Sequence, residues 1–146
     1  MNYIIRKAAP ADFEAIFFLI KEFAEFQQTV DKVSITLEQM HADKNLFQCF
    51  VATGSDGKII GFATFFFAYY SWSGKALNLD DLYVTNDFRK QGIGKMLLDE
   101  VITLAQKEDC KKLRWQVSGW NTYAIEFYKK MGASIDGTDI NCDLYL

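Results

Sequence analysis

Between Phe47 and Val84 the chain runs through β-favouring apolar segments interrupted only at Gly54-Ser55-Asp56-Gly57 and at Ser73-Gly74. No other feature constrains the fold as much. Val, Ile, Phe and Tyr favour extended backbone, and the glycine-bearing steps reverse it. Phe47 to Thr53, Lys58 to Tyr70 and Ala76 to Val84 are therefore expected as three consecutive antiparallel strands. Before them, Tyr3 to Ala8 reads as a strand, and Phe13, Ile16, Phe17, Ile20, Phe23 and Ala24 recur at helical spacing after Pro10. Thr36 with Gln39 has the form of a capping box opening a short second helix. After them, Ile93, Met96, Leu97, Val101, Leu104 and Ala105 fall on one side of a helix, and Lys112 to Val117 reads as a strand. Asn121 to Met131 follows as a helix ended by Gly132, and Asn141 to Leu146 as a last strand. The predicted order βααβββαβαβ belongs to the α/β class.

A chain of 146 residues, half of them hydrophobic, can bury one substantial core, and no linker or repeat divides it. One domain over residues 1–146 is expected. The net charge of -3 argues against a nucleic-acid partner, which needs a basic face. Cys49, Cys110 and Cys142 have no CxxC spacing, so neither a metal site nor a disulfide framework is indicated, and buried free thiols are expected. The amino terminus lacks the pattern of a signal peptide, and the longest apolar run, Ile59 to Tyr70, is too short and too aromatic to span a bilayer as a helix. A cytoplasmic chain with no membrane partner follows as an expectation. His41 is expected on the surface.

Against that acidic background, Phe88 to Lys95 reads FRKQGIGK, between an apolar strand and an apolar helix. A helix start exposes N–H groups that attract anions. Glycines at 92 and 94 let a phosphate approach those amides, and Arg89, Lys90 and Lys95 add charge. A solvated basic loop with glycines for turning accounts for the same stretch. A Walker A loop is excluded, because it needs glycine where Arg89 stands and Ser or Thr where Met96 stands. A Rossmann fingerprint needs a small residue at Leu97 and an early parallel strand.

The stretch Arg89-Lys90-Gln91-Gly92-Ile93-Gly94, preceded by Leu79-Asp80-Asp81-Leu82-Tyr83-Val84, resembles the GCN5-related N-acetyltransferases. Within them the chain looks like the diamine (spermidine/spermine and thialysine) acetyltransferase branch. The likeness extends to IIRKAAPADFEAIFFLIKEFAEF, GFATFFFAYYSWSGKALNLDDLYV and WNTYAIEFYKKMGAS. It implies a mixed, mostly antiparallel central sheet with helices on both faces, and acetyl-CoA as cosubstrate without a metal. By that resemblance Leu82, Tyr83 and Val84 pair with the pantetheine arm, and Arg89, Lys90, Gln91, Gly92, Ile93, Gly94 and Lys95 hold the pyrophosphate. Asn121, Thr122, Tyr123, Ala124 and Met131 lie along the cofactor, and Tyr128 is the general acid.

The same resemblance assigns Asp80 to the amine, as ligand and as base through water; of two strand neighbours only one faces the cleft, and Asp81 is as readily a solvent residue. Phe26, Gln27, Trp72, Arg114, Trp115 and Gln116 are its further substrate-binding positions. Gln27, Tyr70 and Gly119 stand where polyamine members of the branch carry acids, which weakens a polyamine assignment. The aromatics Phe26, Tyr69, Tyr70, Trp72, Trp115 and Trp120 could clasp an alkylamine, and most are expected in the core. A small primary amine and a homodimer are the implied partners. A non-catalytic acyl-CoA sensor or partner-binding module, or acetylation of a protein amine, are the alternatives.

Overall fold

The three apolar segments and their glycine turns do form one continuous antiparallel array, in a computed structural model that describes residues 2–146. The strands are β1 (Ile4–Lys7), β2 (Gln48–Thr53), β3 (Ile59–Tyr70), β4 (Gly74–Val84) and β5 (Lys112–Arg114). The helices are α1 (Phe13–Phe26), α2 (Leu37–Ala42), α3 (Ile93–Lys107) and α4 (Thr122–Lys130). The chain divides into a first unit ending at Trp115 and a second running from Gln116 to Leu146.

In the first unit the sheet order is β1-β2-β3-β4-β5, antiparallel except for the parallel β4–β5 pair. Turns form where glycine permits them: Gly57 and Gly74 have φ of 78° and 88°. Residues 115–117, expected to extend β5, lie outside it, because pairing with β4 stops at Arg114.

Helices cover both faces of the sheet. α1 packs on the face of Val51, Phe62 and Tyr83, burying Phe13, Ile16 and Leu19, with Phe17, Ile20 and Phe23 partly buried around them. α3 lies on the other face, where a Cβ at Gly61 would be 3.4 Å from Leu97 Cδ1. It buries Ile93, Leu97, Leu98, Val101 and Ala105, whereas Met96, expected on that stripe, is exposed. Thr36 caps α2 by accepting from Gln39 N–H at 3.1 Å; the Gln39 side chain turns to Asp43 instead of closing the box. His41 is exposed, with its ring 5.0 Å from Phe13. Of the three thiols only Cys49 is buried, and burial pushes it up to about 12; Cys110 is half-buried and Cys142 exposed, against the expectation of buried thiols throughout.

In the second unit Asn121 caps α4 by accepting from Ala124 N–H at 3.1 Å, and Gly132 leaves the helix at φ 95° as its terminator. The strand expected over 141–146 does not form. Those residues are exposed and pair with no strand among the described residues, and without a ladder an apolar alternation has nothing to hold it extended. Asn141 instead accepts a hydrogen bond from Gln116 at 3.2 Å.

Candidate active site

The site in the first unit begins where β4 and β5 part. They pair only through Ala76–Asn78 and Lys112–Arg114, so from Leu79 to Val84 no strand covers that side of β4 among the described residues. Thr85 N–H donates to Ile60 C=O at 2.9 Å. By the alternation of an antiparallel ladder, Tyr83 then turns its N–H and C=O toward β3, while those of Leu82 and Val84 face the open edge. Val84 C=O does receive a donor on that side, Arg89 Nε at 2.9 Å. The expected trio Leu82, Tyr83 and Val84 thus splits into two edge residues and one core residue. Tyr83 is buried, stacked on Phe23 at 4.9 Å, and donates to Glu22 at 2.6 Å; burial and Glu22 raise its phenol to about 12.

Beyond Val84 the backbone turns sharply into α3. Lys90 and Gly92 both take left-handed conformations, φ 63° and 80°, and Gly92 caps the helix. The first bond closing the helix is Met96 N–H to Gly92 C=O at 3.0 Å, so the amides of Ile93, Gly94 and Lys95 precede it. No atom beyond its chain neighbours lies within 4 Å of where a Gly92 Cβ would stand. Of these three residues Lys95 is exposed and Gly94 half-buried, whereas Ile93 is only 1% exposed. Their side chains are committed elsewhere: Ile93 is buried in the core, Lys95 pairs with Asp99 at 2.7 Å, and Gln91 accepts from the Tyr3 hydroxyl. Arg89 leaves the turn altogether. Its guanidinium sits 4.3 Å from the Phe26 ring centroid and 5.3 Å from that of Tyr83, in a cleft of about 470 Å³ bordered by Glu22, Glu25, Thr85 and Asp87.

Asp80 and Asp81 lie on a β-bulge. Thr64 is in register with Asp81 and Phe65 with Leu79, which leaves Asp80 as the extra residue. Simple alternation of strand neighbours does not hold there. Asp81 shares the α1 face with Thr64 and Tyr83, and its N–H donates to Thr64 Oγ1 at 3.2 Å. Burial, with Asp80 adding to it, raises the Asp81 carboxyl to about 6. Asp80 keeps an exposed side chain, and the protein around it nonetheless raises its carboxyl through desolvation. Asp81 is half-buried, so it is not the solvent residue that the strand pattern allowed.

Other expected substrate positions scatter over the surface. Phe26, Tyr69, Trp72 and Trp120 are exposed, Trp72 at 99%, and Tyr70 and Trp115 are half-buried; none is in the core, contrary to expectation. Tyr69, Tyr70 and Trp72 lie at the end of the β3–β4 hairpin, and Phe26 at the end of α1, where little packs over them. Gln27 ends α1 and is exposed. Arg114 is exposed, 4.8 Å from the Tyr70 ring, and Lys112 lies 4.4 Å from the same ring. Sequence reasoning missed Lys112 and Glu22, since only tertiary contacts single them out.

In the second unit, Asn121 spends its side-chain oxygen on the α4 cap, Tyr123 is 86% exposed, and Met131 follows the last turn, also exposed. Tyr128 is half-buried, its ring 5.7 Å from Phe127, and burial raises its phenol. Gln116 is exposed.

The profile of the acetyltransferase (GNAT) family matches residues 7–133. A thialysine N-epsilon-acetyltransferase of Bos taurus is 33% identical over 141 residues, covering 89% of this chain and 83% of that protein. A spermidine/spermine N(1)-acetyltransferase-like protein 1 of Homo sapiens is 35% identical over 144 residues, 91% of this chain and 21% of that one. Among solved structures, an aminoglycoside acetyltransferase from an uncultured soil metagenomic sample superposes with a TM-score of 0.80 at 22% identity, covering 99% of this chain and 96% of that one. At that identity the superposition supports the fold alone.

Proposed function

The chain belongs to the acetyltransferase (GNAT) family and is an acetyl-CoA-dependent N-acetyltransferase; on that premise we propose that its acceptor is a primary amine of a small molecule. The observation that carries this reading is the uncovered β4 edge followed, after the turn through residues 85–92, by a helix start whose first amides have no helical partner. These residues fit the cosubstrate. Leu82 and Val84 offer main-chain donors and acceptors to an amide-bearing arm, as an added strand would use them, and the amides of Gly94 and Lys95 at the helix start suit a diphosphate. Acetyl-CoA supplies an activated acetyl thioester.

The chain's own groups handle the amine and its proton. An alkylamine with a pKa near 10.4 costs about 4.6 kcal/mol to hold neutral at pH 7. We assign that task to the Asp80 and Asp81 carboxylates: Asp80, exposed on the bulge, as amine ligand and base through water, with Asp81 beside it. A carboxyl titrating near 6 is a better match to neutral pH than an ordinary one. Tyr128 is proposed as the donor toward the leaving sulfur. Because burial raises its phenol further above a thiol's reference value of about 8.5, full proton transfer is uphill, and a hydrogen bond that strengthens as charge develops is the role it suits. A single domain, a homodimer and a cytoplasmic location complete the proposal; the family match crosses the boundary between the two units, and the other two features rest on resemblance.

The test is thiol release from acetyl-CoA with purified protein and a panel of diamines, polyamines, diamino acids and aminoglycosides. Release with at least one amine is expected. Binding of CoA without release above background for any of them would remove the catalytic reading.

A further inference from the structure

A second cleft lies in the first unit, away from the β4 edge. It measures about 430 Å³ and opens between the end of β1 and the link from α2 to β2. Backbone closes its rear, where Ala8 N–H donates to Cys49 C=O at 2.9 Å. Phe13 and Phe47 form its apolar wall, with ring centroids 5.5 Å apart; Phe13 is buried and Phe47 half-buried. Lys7, Lys44, Asn45 and Gln48 supply the polar part of the lining. Among the described residues none of these four side chains has a hydrogen bond, an ion pair or a ring contact. Phe13 also opens α1, so the amino-terminal end of that helix borders the cleft.

All four polar side chains can donate, and two are cations, in a chain whose net charge is -3. The neighbouring carboxylates do not neutralise them. Asp12 pairs with Arg6 at 2.8 Å, Asp43 accepts from the Gln39 amide at 2.9 Å, and Glu14 is exposed and outside the lining. The start of α1, a 14-residue helix, adds positive potential. This charge set favours an anion. The two phenylalanines decide what carries the charge: an inorganic ion leaves their wall facing water, whereas a flat ring covers it. A carboxylate has about four acceptor positions for the donors around it. The volume falls in the range of roughly 300 to 1,000 Å³ usual for small-molecule sites.

We propose that this cleft is a second ligand site and that it takes an aromatic carboxylate, with the ring against Phe13 and Phe47 and the acid held by Lys7, Lys44, Asn45 and Gln48. It stands apart from the acetyl-transfer centre. Phe23, which stacks on Tyr83 of β4, lies ten residues along α1 from Phe13, roughly 15 Å along the helix axis. No residue of the lining is one assigned to cosubstrate, amine or proton transfer, so binding there requires no turnover.

Calorimetric titration of the full chain, saturated with CoA so that other anion-binding amides are occupied, tests it with naphthoate, naphthylmethanol and inorganic phosphate. Naphthoate is expected to bind about tenfold or more tightly than the alcohol, the worth of one hydrogen bond to a charged group, and more tightly than phosphate. Lys7→Gln/Lys44→Gln should lose the preference for the acid over the alcohol, and Lys7→Arg/Lys44→Arg should keep most of it. Amide NMR shifts on adding naphthoate should centre on Lys7, Lys44 and Gln48. Equal affinity for acid and alcohol in the parent, an unchanged preference in the Gln variant, phosphate bound as tightly as naphthoate, or shifts confined to the start of α3 would each overturn the proposal.

Discussion

Replacing Asp81 by asparagine should make this protein more stable at neutral pH while impairing it as a catalyst. The carboxyl is raised from 3.8 to about 6, chiefly by burial and secondarily by Asp80. Between those values the folded chain holds a proton that the unfolded chain has released, so stability is greatest below pH 4 and falls as pH rises toward 6. The gap corresponds to about 3 kcal/mol, and because the residue is only half-buried, solvent screening brings the expected gain to about 1 to 2 kcal/mol. Asparagine keeps the shape and the main-chain bond to Thr64 Oγ1 and has no charge to desolvate. Urea unfolding of parent and Asp81→Asn at pH 4, 6 and 8 is the assay, read from midpoints at constant slope. The gain should be near zero at pH 4 and complete by pH 8. Asp80→Asn should lower the pH at which the parent loses its stability, since it removes the neighbouring negative charge. Equal stability of parent and Asp81→Asn at pH 8, or a gain independent of pH, would refute the reasoning.

Three further outcomes are expected. Gly92→Val forces a branched residue into φ 80°, which should cost about 1 to 2 kcal/mol of stability and weaken CoA binding at least tenfold; Gly94→Ala, whose Cβ would meet Val84 Cγ2 at an ordinary 3.9 Å, serves as the mild comparison, and unchanged CoA affinity in Gly92→Val would place the cradle elsewhere. Gly61→Ala puts a Cβ 2.9 Å from Tyr83 O, so thermal unfolding should show a loss of about 1 to 3 kcal/mol as β4 is displaced; a neutral result would mean the strand yields freely. Tyr128→Phe should lower kcat by tenfold or more with little change in CoA Kd, and equal turnover would take Tyr128 out of the donor role.

Much of the architecture was legible because it is set locally. A glycine that can take positive φ marks each hairpin, a 3.6-residue apolar stripe marks α1 and α3, and Asn121 and Gly132 mark the ends of α4, whatever surrounds them. The helix start at Gly92 belongs to the same class, since its free amides follow from helix geometry alone. The last strand and the extension of β5 were not legible, because a strand exists only if another offers it a ladder.

By itself the sequence determined the order of elements as far as α4, the antiparallel core and the glycine-bearing helix start at Gly92, since each depends on backbone preferences within a few residues. Only the tertiary structure decided how Asp80 and Asp81 divide across a bulge, where Arg89 goes when it leaves the turn, and that Arg114 and Lys112 meet Tyr70. The aspartates and the Tyr70 cluster depend on register between strands, where a shift of one residue would send each side chain to the opposite face, and Arg89 depends on contacts with α1 and β4 made only once the chain has folded.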